Sequence, residues 1–283
     1  MGRYSVPLAP RLGDFAGVEP GQRVLDVGCG PGALTAELAR RVGPAAVAAV
    51  DPSKPFVAAA RERHAGVDVR HGSAEQLPFS DGEFDVSLAQ LVVHFMADPV
   101  RGLREMARVT SRGGVVAACV WDHGGGEGPL SNFWAAAREL APDVRDEALL
   151  PGARQGHLSQ LFDDAGLKEV EETALTVSVE HRDFEEWWEP FTLGVGPAGS
   201  YLATLSPDRQ ARLRDLCRAA LATGGLTVTA RAWAARGRVA FSPGTARGAM
   251  SPDSSDGRAA GGVDSPAEET RSPVVRFDDD RGG

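Results

Sequence analysis

The chain has 283 residues, 42% hydrophobic and 24% charged, enough to bury the core of one large domain or of one domain with an appendage. A formal net charge of -9 argues against a nucleic-acid partner held through phosphates, and no stretch approaches the roughly 20 apolar residues that span a bilayer. The first ten residues lack the apolar core of a secretory signal, and Cys29, Cys119 and Cys217 lie too far apart for a disulfide framework or a zinc site. A reduced cytoplasm is the expected setting, with no metal.

Taken in chain order, short β-branched runs at 24–27, 46–50, 67–71, 84–88 and 115–120 read as buried strands. Between them, 33–42, 53–64 and 99–109 carry helix formers with apolar spacing near 3.6. This alternation predicts an α/β fold with a parallel sheet covered on both faces. After Trp121 the rhythm changes: Gly124-Gly125-Gly126 reads as a flexible break, followed by helices at 130–140 and 157–165, the second ended by Gly166. A strand is expected over 170–180, an aromatic-rich stretch opens at 184–188, an amphipathic helix spans 207–222 and a last strand 226–234. From about Ser242 the chain turns to Gly, Ser, Pro, Asp and Arg, a composition that cannot bury enough surface to offset its ordering entropy. A disordered tail is expected over 242–283, with Val274-Val275-Arg276-Phe277 as its one apolar island.

Gly28-Cys29-Gly30-Pro31-Gly32 sits where the first strand turns into a helix. Glycine is suited there because such a turn demands unusual backbone angles and a Cβ would hold a ligand off the backbone. Gly28, Gly30 and Ala33 also satisfy the dinucleotide pattern G-x-G-x-x-G/A, with Asp51 about 20 positions on, so a nicotinamide-dependent oxidoreductase stands as one reading. Asp26 weighs against it: a carboxylate at the strand end repels a pyrophosphate and suits a cationic amine, such as the methionine ammonium of S-adenosylmethionine. Asp51 can accept hydrogen bonds from ribose hydroxyls, which serves either ligand.

Further motifs follow in a fixed order. The runs VLDVGCGPG, VDPS, GSAEQLPF, FDVSLAQ and RVTSRGGVVAACVWD, over roughly 23–122, resemble the class I S-adenosylmethionine-dependent methyltransferases, in the type 11 group related to ubiquinone/menaquinone biosynthesis. The resemblance implies a Rossmann-like, seven-stranded, mostly parallel sheet with helices on both faces and a helical insertion after the fifth strand. It implies one domain over 1–241, with a cofactor half at about 20–122 and a substrate-shaping half at about 123–240. The cofactor would be S-adenosyl-L-methionine, leaving as S-adenosyl-L-homocysteine. A protein that binds this cofactor without catalysis, as a sensor or partner subunit, is the third reading.

By the same resemblance, Asp26, Gly28, Cys29, Gly30 and Gly32 underlie the methionine part, while Asp51, Pro52 and Ser53 hold the ribose side. Ser73, Ala74 and Glu75 flank the adenine, with Ser where the family often has Asp, and Gln90 and Leu91 form the floor where cofactor and substrate meet. Relatives carry a helical segment ahead of a stretch resembling Met1-Gly2-Arg3-Tyr4-Ser5. The chain begins inside that stretch, so a start lying upstream is expected. The final strand is expected to end near 236–239, with the tail foreign to the family.

Methyl transfer from a sulfonium is an in-line displacement that asks the protein chiefly to align a nucleophile and exclude water. A general base helps where the nucleophile arrives protonated. His94, after the fourth strand, is the candidate base because histidine titrates near neutrality, set against a capping role. Trp121 and Asp122 end the fifth strand, where Asp122 could orient a substrate hydroxyl or cap a turn. Arg3 and Tyr4 are candidate substrate-lining residues. Trp187 and Trp188 could form a lid over an apolar substrate or pack the inserted helices onto the sheet. His123 reads as a loop residue. Ala89-Gln90-Leu91-Val92 stands where nucleobase enzymes carry an Asp-Pro-Pro-Tyr-like run, and with the acidic charge this favours a small-molecule acceptor of the methyl on O, N or C.

Overall fold

A computed structural model describes residues 2–224 and 227–240. The expected tail over 242–283, its apolar island and the first residue of the predicted last strand lie outside the described residues. The chain builds helix α1 (Gly2–Ala16), strand β1 (Val24–Val27), α2 (Ala33–Val42), β2 (Val47–Asp51), α3 (Lys54–Arg63), β3 (Asp68–His71), β4 (Phe84–Gln90), α4 (Pro99–Val109) and β5 (Thr110–Trp121). There follow α5 (Ser131–Leu140), α6 (His157–Asp164), β6 (Lys168–Glu180), α7 (Phe184–Thr192), α8 (Gly196–Thr204), α9 (Pro207–Gly224) and β7 (Thr227–Arg238). Helices therefore follow the fifth strand, and a second group lies between the last two strands.

The seven strands form one sheet in the order β3-β2-β1-β4-β5-β7-β6. The five strands from β3 to β5 run parallel, and β7 pairs antiparallel with both β5 and β6. Every residue of β1 and β2 is buried, as strands covered on both faces require. On one face Leu8, Leu12, Leu34, Leu38, Phe133 and Leu213 pack from α1, α2, α5 and α9. On the other, Leu103, Met106, Leu158 and Phe162 pack from α4 and α6. The order steps outward from β1 through β2 to β3, then returns to the other side of β1 with β4. That reversal opens a crevice at the carboxyl ends of β1 and β4, where ligands bind in open α/β sheets.

Several helix boundaries have local causes. Ser53 caps α3 by accepting from Phe56 N, Asp98 caps α4 by accepting from Arg101 N at 3.0 Å, and Pro99 opens α4. Gly166, with φ of 90°, ends the α6 segment. Four features depart from the sequence expectations. The first residues are themselves helical: α1 forms despite Pro7 and Pro10, because Tyr4, Leu8, Leu12 and Ala16 make a buried stripe at a spacing of four. Helix α8 was not expected, since Gly196-Pro197-Ala198-Gly199 has the composition of a loop. Strands β5, β6 and β7 extend beyond their apolar runs because the ladder continues past them. The glycine run at 124–126 is held rather than free: Gly124 N donates to Ala153 O at 2.8 Å and Gly125 N to the Asp122 carboxylate at 2.7 Å.

Candidate active site

The crevice is lined by four loops that are tied to one another. Gly28 N and Cys29 N both donate to Val50 O, at 2.8 and 3.0 Å, which folds the glycine turn against β2. Gly28, Gly30 and Gly32 have φ of 72°, 52° and 96°, a region L side chains rarely adopt. A Cβ on Gly28 would meet the Val92 methyls at 2.5 Å, so this turn touches the loop after β4. A Cβ on Gly30 would meet nothing within 4 Å, so here the bare backbone faces open space, as a cradle requires. Helix α2 then starts with no side-chain cap, leaving its first amides available. Cys29 is buried, and burial pushes its thiol well above the ordinary range, so it acts as a filler.

Asp51 receives Gly30 N on one carboxylate oxygen at 2.8 Å and Ser53 N on the other at 2.7 Å. Each oxygen keeps a lone pair for a further donor such as a ribose hydroxyl. Pro52 O accepts from His71 Nε2 at 2.9 Å, which holds this loop on β3. Asp26 is 1% exposed and takes one side-chain hydrogen bond, from Thr35 Oγ1 at 2.6 Å. Burial, opposed by Thr35 and reinforced by the charge of Asp51, pushes its carboxyl up to about 7. No cation faces it among the described residues. Sequence reasoning missed Thr35; a hydroxyl one helical turn into α2 was its only signal.

Gly72 N donates to Asp51 O at 3.1 Å and brings the next loop alongside. There the Ser73 hydroxyl donates to the Glu75 carboxylate and accepts from Glu75 N, so it is engaged within its own turn rather than turned outward. Glu75 also accepts Ala97 N at 2.9 Å. Burial is outweighed by the Ser73 hydroxyl and the backbone amides, Ala97 and Asp98 among them, and its carboxyl sits below the usual range. Ala74 is buried beneath the turn. Gln90 donates to Ser5 O at 3.0 Å and keeps a buried Oε1 without a partner among the described residues. Leu91 has φ of 62°, a conformation costing about 1–3 kcal/mol in a non-glycine residue, of the kind that clusters at ligand sites.

The acceptor-side candidates separate. His94 is 7% exposed, and burial, with His123 beside it, lowers its imidazole to about 3; the premise that it titrates near neutrality is corrected. Asp122 is 1% exposed and held on Oδ2 by Arg231, whose Nε and Nη2 lie at 2.9 and 2.6 Å, and on Oδ1 by Gly125 N at 2.7 Å, pairings that tie β5 to β7 and to the loop after Trp121. Trp187 and Trp188 are buried against Phe133, Phe184 and Phe191, which makes them core of the inserted helices instead of a lid. Arg3 turns outward to Glu186 at 2.9 Å and to His181, away from a lining role. Tyr4 is buried, hydrogen-bonded to His181 at 2.9 Å and edge-on to the fully buried Trp121. His123 and Glu147 were missed. The His123 side chain is 4% exposed, and its Nδ1 lies 4.0 Å from Glu147, itself buried.

Residues 25–118 match the family model described as a methyltransferase domain. Over those residues the chain is similar to the methyltransferase domain of the type 11 group. The matched stretch runs from β1 into β5 and contains the glycine turn, Asp51, Ser73 and Gln90. An uncharacterised protein of Mycobacterium bovis is 33% identical over 160 residues, 56% of this chain and 58% of that one. The ubiquinone/menaquinone biosynthesis C-methyltransferase UbiE of Bdellovibrio bacteriovorus is 34% identical over 110 residues, 38% of this chain and 47% of that one. The chain therefore spans about half the length of these relatives. Among solved structures, phosphoethanolamine N-methyltransferase 2 of Haemonchus contortus, in complex with phosphomonomethylethanolamine and S-adenosylhomocysteine, superposes with a TM-score of 0.50 at 19% identity. That match covers 82% of this chain and 52% of that one, and at this identity it speaks to the fold.

Proposed function

We propose that this chain is a methyltransferase that uses S-adenosylmethionine to methylate O, N or C of a small molecule. The observation that carries the reading is the buried Asp26 carboxylate beneath a positive-φ glycine turn whose neighbour, Asp51, is clamped by two backbone amides. Asp26 would face the methionine ammonium, the open backbone at Gly30 would receive the methionine moiety, and Asp51 would hold ribose hydroxyls. Pro52 and Ser53 would close the ribose side, and the 73–75 turn with Ser73, Ala74 and Glu75 would border the base. Gln90 and Leu91 would form the floor, and Tyr4 and Trp121 would wall the acceptor. The bound cofactor supplies an electrophilic methyl; the protein's part is to align the acceptor and keep water out.

Two features weigh against the alternatives. A buried carboxylate under the turn disfavours the pyrophosphate of a nicotinamide dinucleotide, and Gln90 Oε1 and His94 Nδ1, buried without partners among the described residues, leave room for an acceptor's polar groups beside the cofactor. The acidic balance favours a small-molecule acceptor over nucleic acid. No helix among the described residues is long and apolar enough to cross a membrane. Three buried free cysteines suit a reducing, cytoplasmic setting.

Calorimetric titration with S-adenosylhomocysteine tests the reading. The wild type should bind it, and Gly30→Val and Asp51→Ala should each weaken binding at least tenfold, which is about 1.4 kcal/mol. Unchanged affinity in both variants, or tight NAD(P) binding with none for S-adenosylhomocysteine, overturns the assignment.

A further inference from the structure

Two imidazoles stand at the carboxyl ends of neighbouring parallel strands, His94 just after β4 and His123 just after β5. Their ring centroids are 6.2 Å apart, and both side chains are nearly withdrawn from solvent. Each keeps a buried ring nitrogen, Nδ1 of His94 and Nε2 of His123, with no hydrogen-bond partner among the described residues. Leaving one such atom unpaired costs about 1–3 kcal/mol, so a pair of them marks a place where a ligand group completes the hydrogen bonding. Gly28 against Val92 joins this place to the glycine turn two residues before His94.

Glu147 supplies an independent sign. Its carboxylate is 4% exposed, accepts Trp134 Nε1 at 3.0 Å, and lies 4.0 Å from His123 Nδ1. The other charged groups around His123 are engaged elsewhere, Asp122 with Arg231 and Asp146 with Arg138, and the neighbouring His94 is neutral. Burial raises the Glu147 carboxyl, with the Trp134 hydrogen bond opposing; in its ionised form it favours the His123 proton on Nδ1, which leaves Nε2 as an acceptor.

Resting on the methyltransferase reading above, we propose that His94 and His123, with Glu147 behind His123, form the acceptor subsite, that it takes a neutral aromatic hydroxyl compound, and that His123 Nε2 receives its proton. His123 is then a catalytic residue and Glu147 a positioning residue. The aromatic body is matched by Trp121, whose carbonyl accepts His123 N at 2.8 Å, and by Tyr4 edge-on to it. A phenol, with a pKa of about 10 like that of tyrosine, gives up its proton to an imidazole far more readily than an aliphatic alcohol does. In the step, the O–H bond breaks as an N–H bond forms at Nε2. The electron pair left on oxygen makes the bond to the methyl carbon, the carbon–sulfur pair stays on sulfur, and the proton passes to solvent on product release. Burial lowers the His123 imidazole to about 4, so the imidazolium forms only as the step proceeds, with the Glu147 carboxylate 4.0 Å behind Nδ1 offsetting part of that cost.

Titration of the full chain saturated with S-adenosylhomocysteine by 4-nitrophenol, followed by its absorbance, tests the subsite. The wild type should bind the probe, and His123→Gln should weaken it at least tenfold while S-adenosylhomocysteine affinity stays within twofold. A wild type that holds S-adenosylhomocysteine but not the probe, or equal probe binding by His123→Gln, overturns the proposal. A wild type that fails to bind S-adenosylhomocysteine instead overturns the methyltransferase reading beneath it. Nitrogen-15 spectra of the histidines give a second measurement: His123 should be the Nδ1–H tautomer at pH 8 and lose that preference in Glu147→Gln. Tautomer populations that do not change between the two overturn the role given to Glu147.

Discussion

Asp26 joins the chemistry of the site to its stability. Its carboxyl is raised from 3.8 to about 7, first by burial and then by Asp51, against the Thr35 hydrogen bond. The folded state thus holds a proton that the unfolded chain releases. The stability this gives is complete below about pH 4, declines as pH rises, and is gone above about pH 7. Asp26→Asn should flatten that decline and leave the ligand-free protein more stable than the wild type at pH 8, by of order 1–3 kcal/mol. Denaturant unfolding at pH 5 and pH 8 reads both effects; equal slopes with pH in the two proteins would contradict the argument. A cationic ligand group reverses the balance, since it favours the ionised form. S-adenosylhomocysteine affinity should therefore fall by up to tenfold per unit as pH drops below about 7 in the wild type, and be weak and nearly pH-independent in Asp26→Asn.

Among the elements, α1 has the least support in its own sequence and the most in its surroundings. Arg41 of α2 reaches Pro10 O at 2.8 Å, Asp14 at 2.7 Å and Glu37 at 2.7 Å, and lies where a Cβ on Gly13 would collide with its guanidinium. The first turn of α1 in turn supplies Ser5 O to Gln90 and the Tyr4 ring to Trp121. Arg41→Ala should cost about 1–3 kcal/mol, because Glu37 and a backbone carbonyl lose a charged donor. Hydrogen exchange should then speed up more over 2–16 than over β1; protection that changes equally in both would mean that Arg41 does not hold this helix. Helices α5 and α6 work in a similar way at longer range, since the segment between them carries Glu147 to His123.

Over the whole molecule, the reversal of strand order between β1 and β4 gathers the glycine turn, Asp51, the 73–75 turn and the end of β4 at one edge of the sheet. A ligand that bridges these loops binds only the folded state, so S-adenosylhomocysteine at 100 times its dissociation constant should add about 2.7 kcal/mol. For a domain of this size that is about 5–11 °C in Tm. A thermal scan in which NAD(P) raises Tm and S-adenosylhomocysteine does not would favour the dinucleotide reading of the same turn.

The cofactor half could be read from the sequence because its determinants are local. Positive-φ glycines, an acid at each of two strand ends and apolar strands buried on both faces leave their mark within a few residues of one another. The acceptor half could not, because its determinants are distant in the chain. Asp122 looks like a free strand-end acid until Arg231, on a strand antiparallel to its own, claims it; His123 looks like a loop residue until the helices after β5 bury it beside Glu147 and His94. Trp187 and Trp188 are apolar in either role, and only packing against Phe133 and Phe191 decides for core. Helix α1 contradicts its own prolines, and the apolar surface it covers outweighs that local cost. Sequence alone determined the sheet, the glycine turn and the two acids that flank it; tertiary structure decided which polar groups stay unpaired in the crevice, because pairing depends on groups that folding brings together from far along the chain.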